Sequence, residues 1–525
     1  MSGGRPSSGS GSAVPRPLDG LVERLVSEGR LGAVVGRTEG VVIAGIADDS
    51  RRVRPGELFV AVPGLRTDGH DHAAAAVSAG AAATIVEREL PGLLVPQIVV
   101  DSSPKALGSA AAWWEGDPSR RLAVVGVTGT NGKTTTTFLA AAALQAVGWP
   151  TGLVGTIGIR VGGSMRPNEL PNTTPGAIEL QHLLREMVDA GERAVVIETS
   201  SHGLAAERVA SVAYGAAIFT NLSHEHLDFH GTFEAYRAAK RSLFERLPAT
   251  GPDGRQGLAI VNVDDAAGLD FGAAAAAAGA RVVGYGASAS ADVRLVAVEG
   301  GASRTRFVAE AAGRVIEVDL RIGGRYNAHN ALAAIGLALG WHLDLETVAA
   351  GLGELRGVPG RMEAVDRGQP FDVIVDYAHT SGSLDAIARE LQSLAEPHGG
   401  GVISVFGASG GRDVGKRPLM GEAAAHWSRL VIVTEDDSRT EDPTTIHEAV
   451  ARGAEAAGAR RGESLLVIGD RREAIAEAFR RARPGDVVLI AGKGHETWNM
   501  GPRGAEPWSD RATAEELLGS LGYEG

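Results

Sequence analysis

Cysteine is absent from the 525 residues. That excludes disulfides, thiolate metal centres and a cysteine nucleophile, and it fits a cytoplasmic location. Lysine is scarce: among 51 basic residues only Lys105, Lys133, Lys240, Lys416 and Lys493 are lysines. Arginine cannot replace a compact point charge or a neutral amine, so lysines in an arginine-rich chain are enriched in phosphate cradles, amine chemistry and tight pockets. Lys105, beside Pro104, reads as ordinary surface. The net charge is −13 and no block of basic residues occurs, which excludes nucleic acid and anionic membranes as partners but leaves small acidic metabolites. Alanine tracts such as residues 273–278 are too short to cross a bilayer, so no membrane insertion is expected. Residues 1–17 are rich in Gly, Ser and Pro without an apolar core and read as a disordered tail, not an export signal.

The length suggests three domains, assigned to residues 18–119, 120–357 and 358–525. The class is α/β throughout. In the first domain, residues 41–46, 58–62, 83–86 and 98–100 read as strands, with a helix over 72–79. A second helix over 104–114, capped by Ser103, closes the domain. Strand–helix alternation over 122–357 predicts a parallel sheet with helices, followed by an antiparallel stretch over 292–320. The third domain reads as Rossmann-like, with strands at 373–376, 402–406, 430–434, 465–468 and 487–491.

The centre of the chain is GVTGTNGKTTT, residues 126–136, between an apolar run and a helical pattern. Gly129 and Gly132 let the backbone turn toward an anion. Thr130, Asn131 and Thr135 line the turn, Lys133 adds a point charge and Thr134 can ligate Mg²⁺, so ATP is the expected guest. Val127 stands where a standard P-loop expression has glycine, making this a variant.

Loops after parallel strands share one rim of a sheet. In the central domain PNTTPG, ETSSHGL and TNLSHEHLDFHG therefore face the P-loop, and Glu198 and His226 can each ligate a nucleotide-bound metal. His224, Asp228 and His230 lie in the same loop. Lys240, on the following helix, reads by spacing as solvated. Its alternative is chemical, because a neutral lysine amine can add CO₂ to give a carbamate that binds Mg²⁺. Asn327 and His329 open a helix from which they can reach an adenine. In the third domain DYAHTSGS, GASGGRDVGKRP, TEDDSRTEDP and AGKGHE share a rim, where Arg412, Arg439 and Glu496 can hold a zwitterion.

The series GVTGTNGKTTT, ETSSHGL, NLSHEHLDFHG, YRAAK, GRYNAHN, GRME, DYAHT, GRDVGKRPLMG and AGKGHE resembles the Mur ligases, and most nearly the members that add the third peptide residue. The resemblance implies a UDP-binding first domain and an ATP-dependent amide ligase of peptidoglycan precursor synthesis. The implied reaction adds meso-diaminopimelate to UDP-N-acetylmuramoyl-L-alanyl-D-glutamate through an acyl phosphate. ATP, Mg²⁺ and a carboxylated Lys240 are implied, as is a cytoplasmic monomer. Ser50, Leu65, Arg66 and Thr67 then contact the uridine nucleotide, and Asn172, Thr173, Thr174, Ser200 and Arg208 the acyl substrate. Arg361 and Asp376 join Asn327 at the nucleotide, and His379 joins the substrate residues. Lys133, Glu198, His226 and Lys240 become catalytic, with Thr134, Glu198, His226 and Lys240 around metal. Arg412, Asp436, Asp437, Ser438, Arg439, Gly492 and Glu496 match the site for the incoming amino acid. Three departures stand out: Ala206 for glutamine, TSGS for TPDA and DDSR for DNPR. The last leaves L-lysine or L-ornithine open as the amino acid. A folylpolyglutamate synthetase and a non-catalytic relative are the competing readings.

Overall fold

The computed structural model describes residues 14–64, 67–170, 172–251 and 254–524. Leu65 and Arg66, two of the expected uridine contacts, and most of the expected tail lie outside them, as does the side chain of Asp228. The chain forms two compact units, one running to Thr137 and resuming over Gly148–Val283, the other comprising Phe138–Val147 and the chain from Gly284 onward.

The first unit opens with a five-stranded sheet in the order Leu31–Val35, Gln97–Val100, Ala83–Val86, Glu57–Val60, Gly45–Ala47. The last four strands are parallel. Leu31–Val35 was not anticipated: it is an antiparallel edge strand whose middle three residues are exposed, so it carries no apolar alternation. The strand expected over 41–46 divides at Ala44. Gly45–Ala47 joins the sheet, whereas Val42 and Ile43 pair with Pro17 and Arg16, two residues assigned to the tail by composition. The expected cap by Ser103 is also corrected. The helix spans Ser103–Glu115 with Ser102 at its N-cap, and Ser103 is buried, its N–H and Oγ both donating to Glu87 Oε1 at 2.8 and 2.9 Å.

The same unit holds the parallel strands Thr151–Val154, Ala194–Glu198, Ala123–Thr128, Tyr214–Phe219 and Leu258–Asn262, neighbours in that order. Their near-continuous Val/Ile/Ala sequences are those of strands covered on both faces. An antiparallel hairpin, Gly158–Val161 with Ser164–Pro167, extends the edge. Ile197 lies opposite Gly126 and Ile218 opposite Val127. This register brings the ends of three strands level with the glycine-rich turn.

In the second unit the stretch expected to be antiparallel forms Val293–Gly300, Thr305–Ala311 and Arg314–Leu320. The other sheet has the order Glu363–Ala364, Asp372–Asp376, Val487–Ala491, Val402–Phe406, Ser428–Val433, Leu465–Val467, parallel except at its first strand. A hairpin of Trp498–Gly501 and Gly504–Pro507 follows, which the sequence pattern did not disclose. Among the described residues no helix is long and apolar enough to cross a membrane.

One buried ion pair fastens the C-terminal helix Asp510–Ser520. Arg471 donates to both oxygens of Asp510 at 2.7 Å, to Ala491 O at 2.8 Å and to Glu435 O at 3.1 Å. Removing one partner strands the other charge away from water. Arg471→Met should therefore destabilise the second unit by about 3–5 kcal/mol, read as a lowered calorimetric transition; an unshifted transition would contradict this role.

Candidate active site

The glycine-rich turn follows the strand Ala123–Thr128, and the helix Lys133–Ala146 starts at its lysine. Gly129 has φ +151, and a Cβ there would come within 1.9 Å of Thr220 Oγ1. Only glycine fits. Thr220 Oγ1 donates to Asn131 O at 2.7 Å, Asn131 N donates to Asn221 Oδ1 at 2.9 Å, and Thr130 N donates to Asn221 O at 2.8 Å. The turn is thus held by the loop after Tyr214–Phe219, one of the three expected to face it. Thr134 and Thr135 are buried in the first helical turn.

Glu198 ends its strand beside this turn. Thr134 Oγ1 lies 3.1 and 3.2 Å from its two oxygens, and Thr156 donates to Glu198 Oε2 through N at 3.0 Å and Oγ1 at 3.1 Å. Thr156 also meets Thr173 Oγ1 at 3.0 Å, connecting the expected metal ligand to the expected acyl-substrate loop. In that loop Thr174 Oγ1 donates to Glu198 O at 2.8 Å and meets Ser200 Oγ at 3.0 Å. Arg208 reaches Thr174 O at 3.2 Å, and Asn172 O accepts from Asn168 at 3.3 Å. Asn172, Thr173, Thr174, Ser200 and Arg208 are thereby gathered around the Glu198 strand end.

Lys240 overturns its reading as a solvated helix residue. It is 1% exposed, its amine donating to Gly129 O at 2.6 Å and lying 4.5 Å from the centre of the Tyr236 ring. The amine of Lys133 donates to the same carbonyl at 3.1 Å and to Thr130 O at 2.7 Å. Burial, reinforced by the Lys133 charge and opposed by Glu225, pushes the Lys240 pKa well below the ordinary lysine range. The shift is toward the neutral form, the form that attacks an electrophile. Tyr236 OH in turn meets Thr130 Oγ1 at 2.9 Å, fixing the lysine helix to the turn. His226 adopts φ +58, with its ring 4.7 Å from that of His202 and 6.0 Å from that of Tyr236. His224 lies apart, stacked on Phe233 at 4.4 Å. At the first sheet, Ser50 opens a 3₁₀ turn capped by Asp49, and Thr67 O accepts from Gly64 N at 3.0 Å.

In the second unit the four polar loops follow parallel strands of one sheet, as expected. Asn327 is buried, donating to Gly323 O at 2.6 Å and accepting from Asn330 at 2.8 Å. Both oxygens of Asp376 accept backbone amides, from Met362 and Ala378 at 2.8 Å, while Arg361 lies over the Tyr377 ring at 4.6 Å. His379 Nδ1 is 2.9 Å from Tyr377 O, and Lys416 donates to His379 O at 3.0 Å. Gly492, φ +109, donates to Asp376 O at 3.2 Å, and a Cβ there would come within 2.3 Å of Asp436 Oδ2. Burial, opposed by Arg471 and Lys493, pushes the Asp436 pKa up to about 6.

Asp437 and Arg439 both have positive φ, 51° and 56°. The unforeseen hairpin holds this turn: Arg439 N donates to Met500 O at 2.8 Å, Met500 N to Asp437 Oδ1 at 2.8 Å, and Asp437 N to Asn499 Oδ1 at 3.1 Å. Ser438 N donates to Glu435 at 2.8 Å. Asp437 and Glu496 are both bonded to Lys493, at 2.8 and 2.7 Å. Neither Arg412 nor Arg439 has an ion pair among the described residues, and Arg439 Nε is buried without a hydrogen-bond partner. Lys493 was marked in sequence by the rarity of lysine and by AGKGHE, and Tyr236 by YRAAK; Thr156 and Trp498 had no signal.

Family models match in three successive stretches: the catalytic domain of the Mur ligase family over residues 42–114, the Mur ligase middle domain over 127–338, and the Mur ligase glutamate ligase domain over 360–494. A UDP-N-acetylmuramyl-tripeptide synthetase of Roseiflexus sp. (strain RS-1) is 45% identical, covering 92% of this chain and 96% of that protein. A UDP-N-acetylmuramoyl-L-alanyl-D-glutamate--2,6-diaminopimelate ligase of Geobacillus kaustophilus is 40% identical over 91% and 96%. A solved structure of a ligase of that same name superposes with a TM-score of 0.67 at 30% identity, covering 93% of this chain and 97% of that one. A folylpolyglutamate synthase of Mycobacterium tuberculosis shares the fold at a TM-score of 0.58, 18% identity and 74% of this chain. The P-loop variant, the buried lysine behind it and the three matched domains together place this chain in the Mur ligase family of ATP-dependent ligases.

Proposed function

We propose that this ligase joins meso-diaminopimelate to the D-glutamate side-chain carboxylate of UDP-N-acetylmuramoyl-L-alanyl-D-glutamate. A carboxylate is a poor electrophile. Its oxygen takes the γ-phosphoryl group of ATP, the bond to ADP breaking as the acyl phosphate forms. The amine of the diamino acid then attacks the acyl carbon, phosphate leaves with the bonding pair, and the new amide loses its extra proton. Lys133 spreads the charge of the transferring group from the P-loop, and Thr173, Thr174, Ser200 and Arg208 position the acyl chain. Thr134 and Glu198 present hard oxygen donors, with His226 nearby, and this set suits Mg²⁺ once Lys240 is a carbamate. The ion, when bound, neutralises phosphate charge. The Lys240 amine favours the required modification, since its lone pair can add to CO₂ and release a proton.

The observation that carries the amino-acid assignment is the state of the arginines. Diaminopimelate differs from lysine by a second carboxylate, and a guanidinium is the specific partner for one. Arg412 and Arg439 have no carboxylate partner among the described residues, whereas the neighbouring Asp437 and Glu496 are joined to Lys493. The substitution of DDSR for DNPR therefore leaves Arg439 available. Lysine would leave it facing nothing, an arrangement that costs several kcal/mol when desolvated.

Three measurements test this reading. Lys133→Arg should lower ATP turnover to less than about a tenth, about 1.4 kcal/mol of transition-state stabilisation, with the fold intact by circular dichroism. Lys240→Ala should be nearly inactive and recover in part with added formate or acetate; an active variant, or one that no acid rescues, would remove the carbamate from the mechanism. Phosphate release with the UDP-dipeptide should be fastest with meso-diaminopimelate, and Arg439→Ala should abolish that preference. Faster release with L-lysine or L-ornithine in the unmutated protein would refute the assignment.

A further inference from the structure

Lys493 is fully buried beside three acidic side chains at the rim of the third sheet. Its ammonium lies 2.8 Å from Asp437 Oδ1, 2.7 Å from Glu496 Oε2, 3.8 Å from Asp436 Oδ1 and 5.5 Å from the centre of the Trp498 ring. Asp437 is only two residues from Arg439, on a turn where both have positive φ. Without another cation its carboxylate would be a natural partner for that guanidinium. Instead Asp437 Oδ1 accepts from both Lys493 and Met500 N, while Arg439 Nε has no hydrogen-bond partner. The aliphatic part of Arg439 packs by Gly411, whose Cβ, if present, would lie 3.9 Å from Arg439 Cδ. The side chain thus leans toward the loop that carries Arg412.

We propose that Lys493 is a specificity-determining positioning residue: by binding Asp437 and Glu496 it keeps Asp437 off Arg439, reserving that guanidinium for the distal carboxylate of the incoming amino acid. The proposal rests on the diaminopimelate reading and adds its electrostatic condition. Two carboxylates facing one ammonium leave this cluster with a net charge near −1. Removing the ammonium makes it more negative and repels a substrate carboxylate. Removing the Asp437 charge as well returns the balance to its starting value. Arginine cannot replace Lys493, because its planar fork is larger than the fully buried space a single ammonium occupies.

The test is a double-mutant cycle read as the ratio of kcat/KM for meso-diaminopimelate to that for L-lysine. Lys493→Met should lower the ratio by about tenfold or more, and adding Asp437→Asn should bring it back to within about threefold of the unmutated value. A purely structural lysine would give no such rescue. A retained ratio in Lys493→Met, or a double variant no better than the single, overturns the proposal. Should Lys493→Met fail to fold, Asp437→Asn alone decides: with one carboxylate removed the cluster is less negative and the ratio should rise about threefold or more, and an unchanged or lower ratio overturns the proposal. An unmutated protein that favours L-lysine overturns the diaminopimelate reading and this proposal together; one that favours diaminopimelate while Lys493→Met keeps the ratio overturns this proposal alone.

Discussion

Two lysine amines converge on one backbone carbonyl, and the organisation of the first unit follows from that. Gly129 O accepts from both Lys133 and Lys240. Burial and the repulsion between two ammonium ions so placed both push the Lys240 pKa down. The carbonyl can be offered this way only because Gly129 adopts a conformation that a side chain would block against Thr220. Thr220 and Asn221 then hold the rest of the turn. A lysine, a glycine and a threonine far apart in sequence therefore form one interdependent unit.

The second unit meets the opposite difficulty, an excess of carboxylates. Asp436, Asp437 and Glu496 lie close together around Lys493, and their charge is relieved in two ways. Asp436 is moved toward its neutral form by burial, whereas Asp437 and Glu496 share the Lys493 ammonium. The two arginines on the neighbouring loops remain without counter-ions among the described residues. Selectivity in such a pocket depends on which charges the protein has already matched internally.

Much of this was legible in the sequence because motifs at strand ends declare themselves. The P-loop turn, the Glu198 strand end and the four loops of the third sheet were all placed by alternation of strands and helices. The scarcity of lysine marks out Lys240 and Lys493. Spacing alone misread Lys240, since its partner carbonyl lies 111 residues away and helical periodicity carries no information about it. Ser103 was misread for a related reason. A serine before proline looks like a cap, but its oxygen is engaged by Glu87, on a different element. The hairpin after Glu496 escaped notice because its strands are short and partly exposed, so no apolar face marks them. Yet its backbone and Asn499 hold the turn containing Asp437 and Arg439.

The Arg471 guanidinium joins Asp510 to the carbonyls of Glu435 and Ala491, the residues from which two of the polar loops depart. During synthesis the glycine-rich turn can acquire Thr220, Asn221, Tyr236 and Lys240 from residues that leave the ribosome well before Asp510. The loops after Glu435 and Ala491 cannot, since they lack their anchor until Asp510 has emerged. The glycine-rich turn thus gains its contacts before these loops gain theirs, and a form shortened ahead of Asp510 would keep the first set and lose the second.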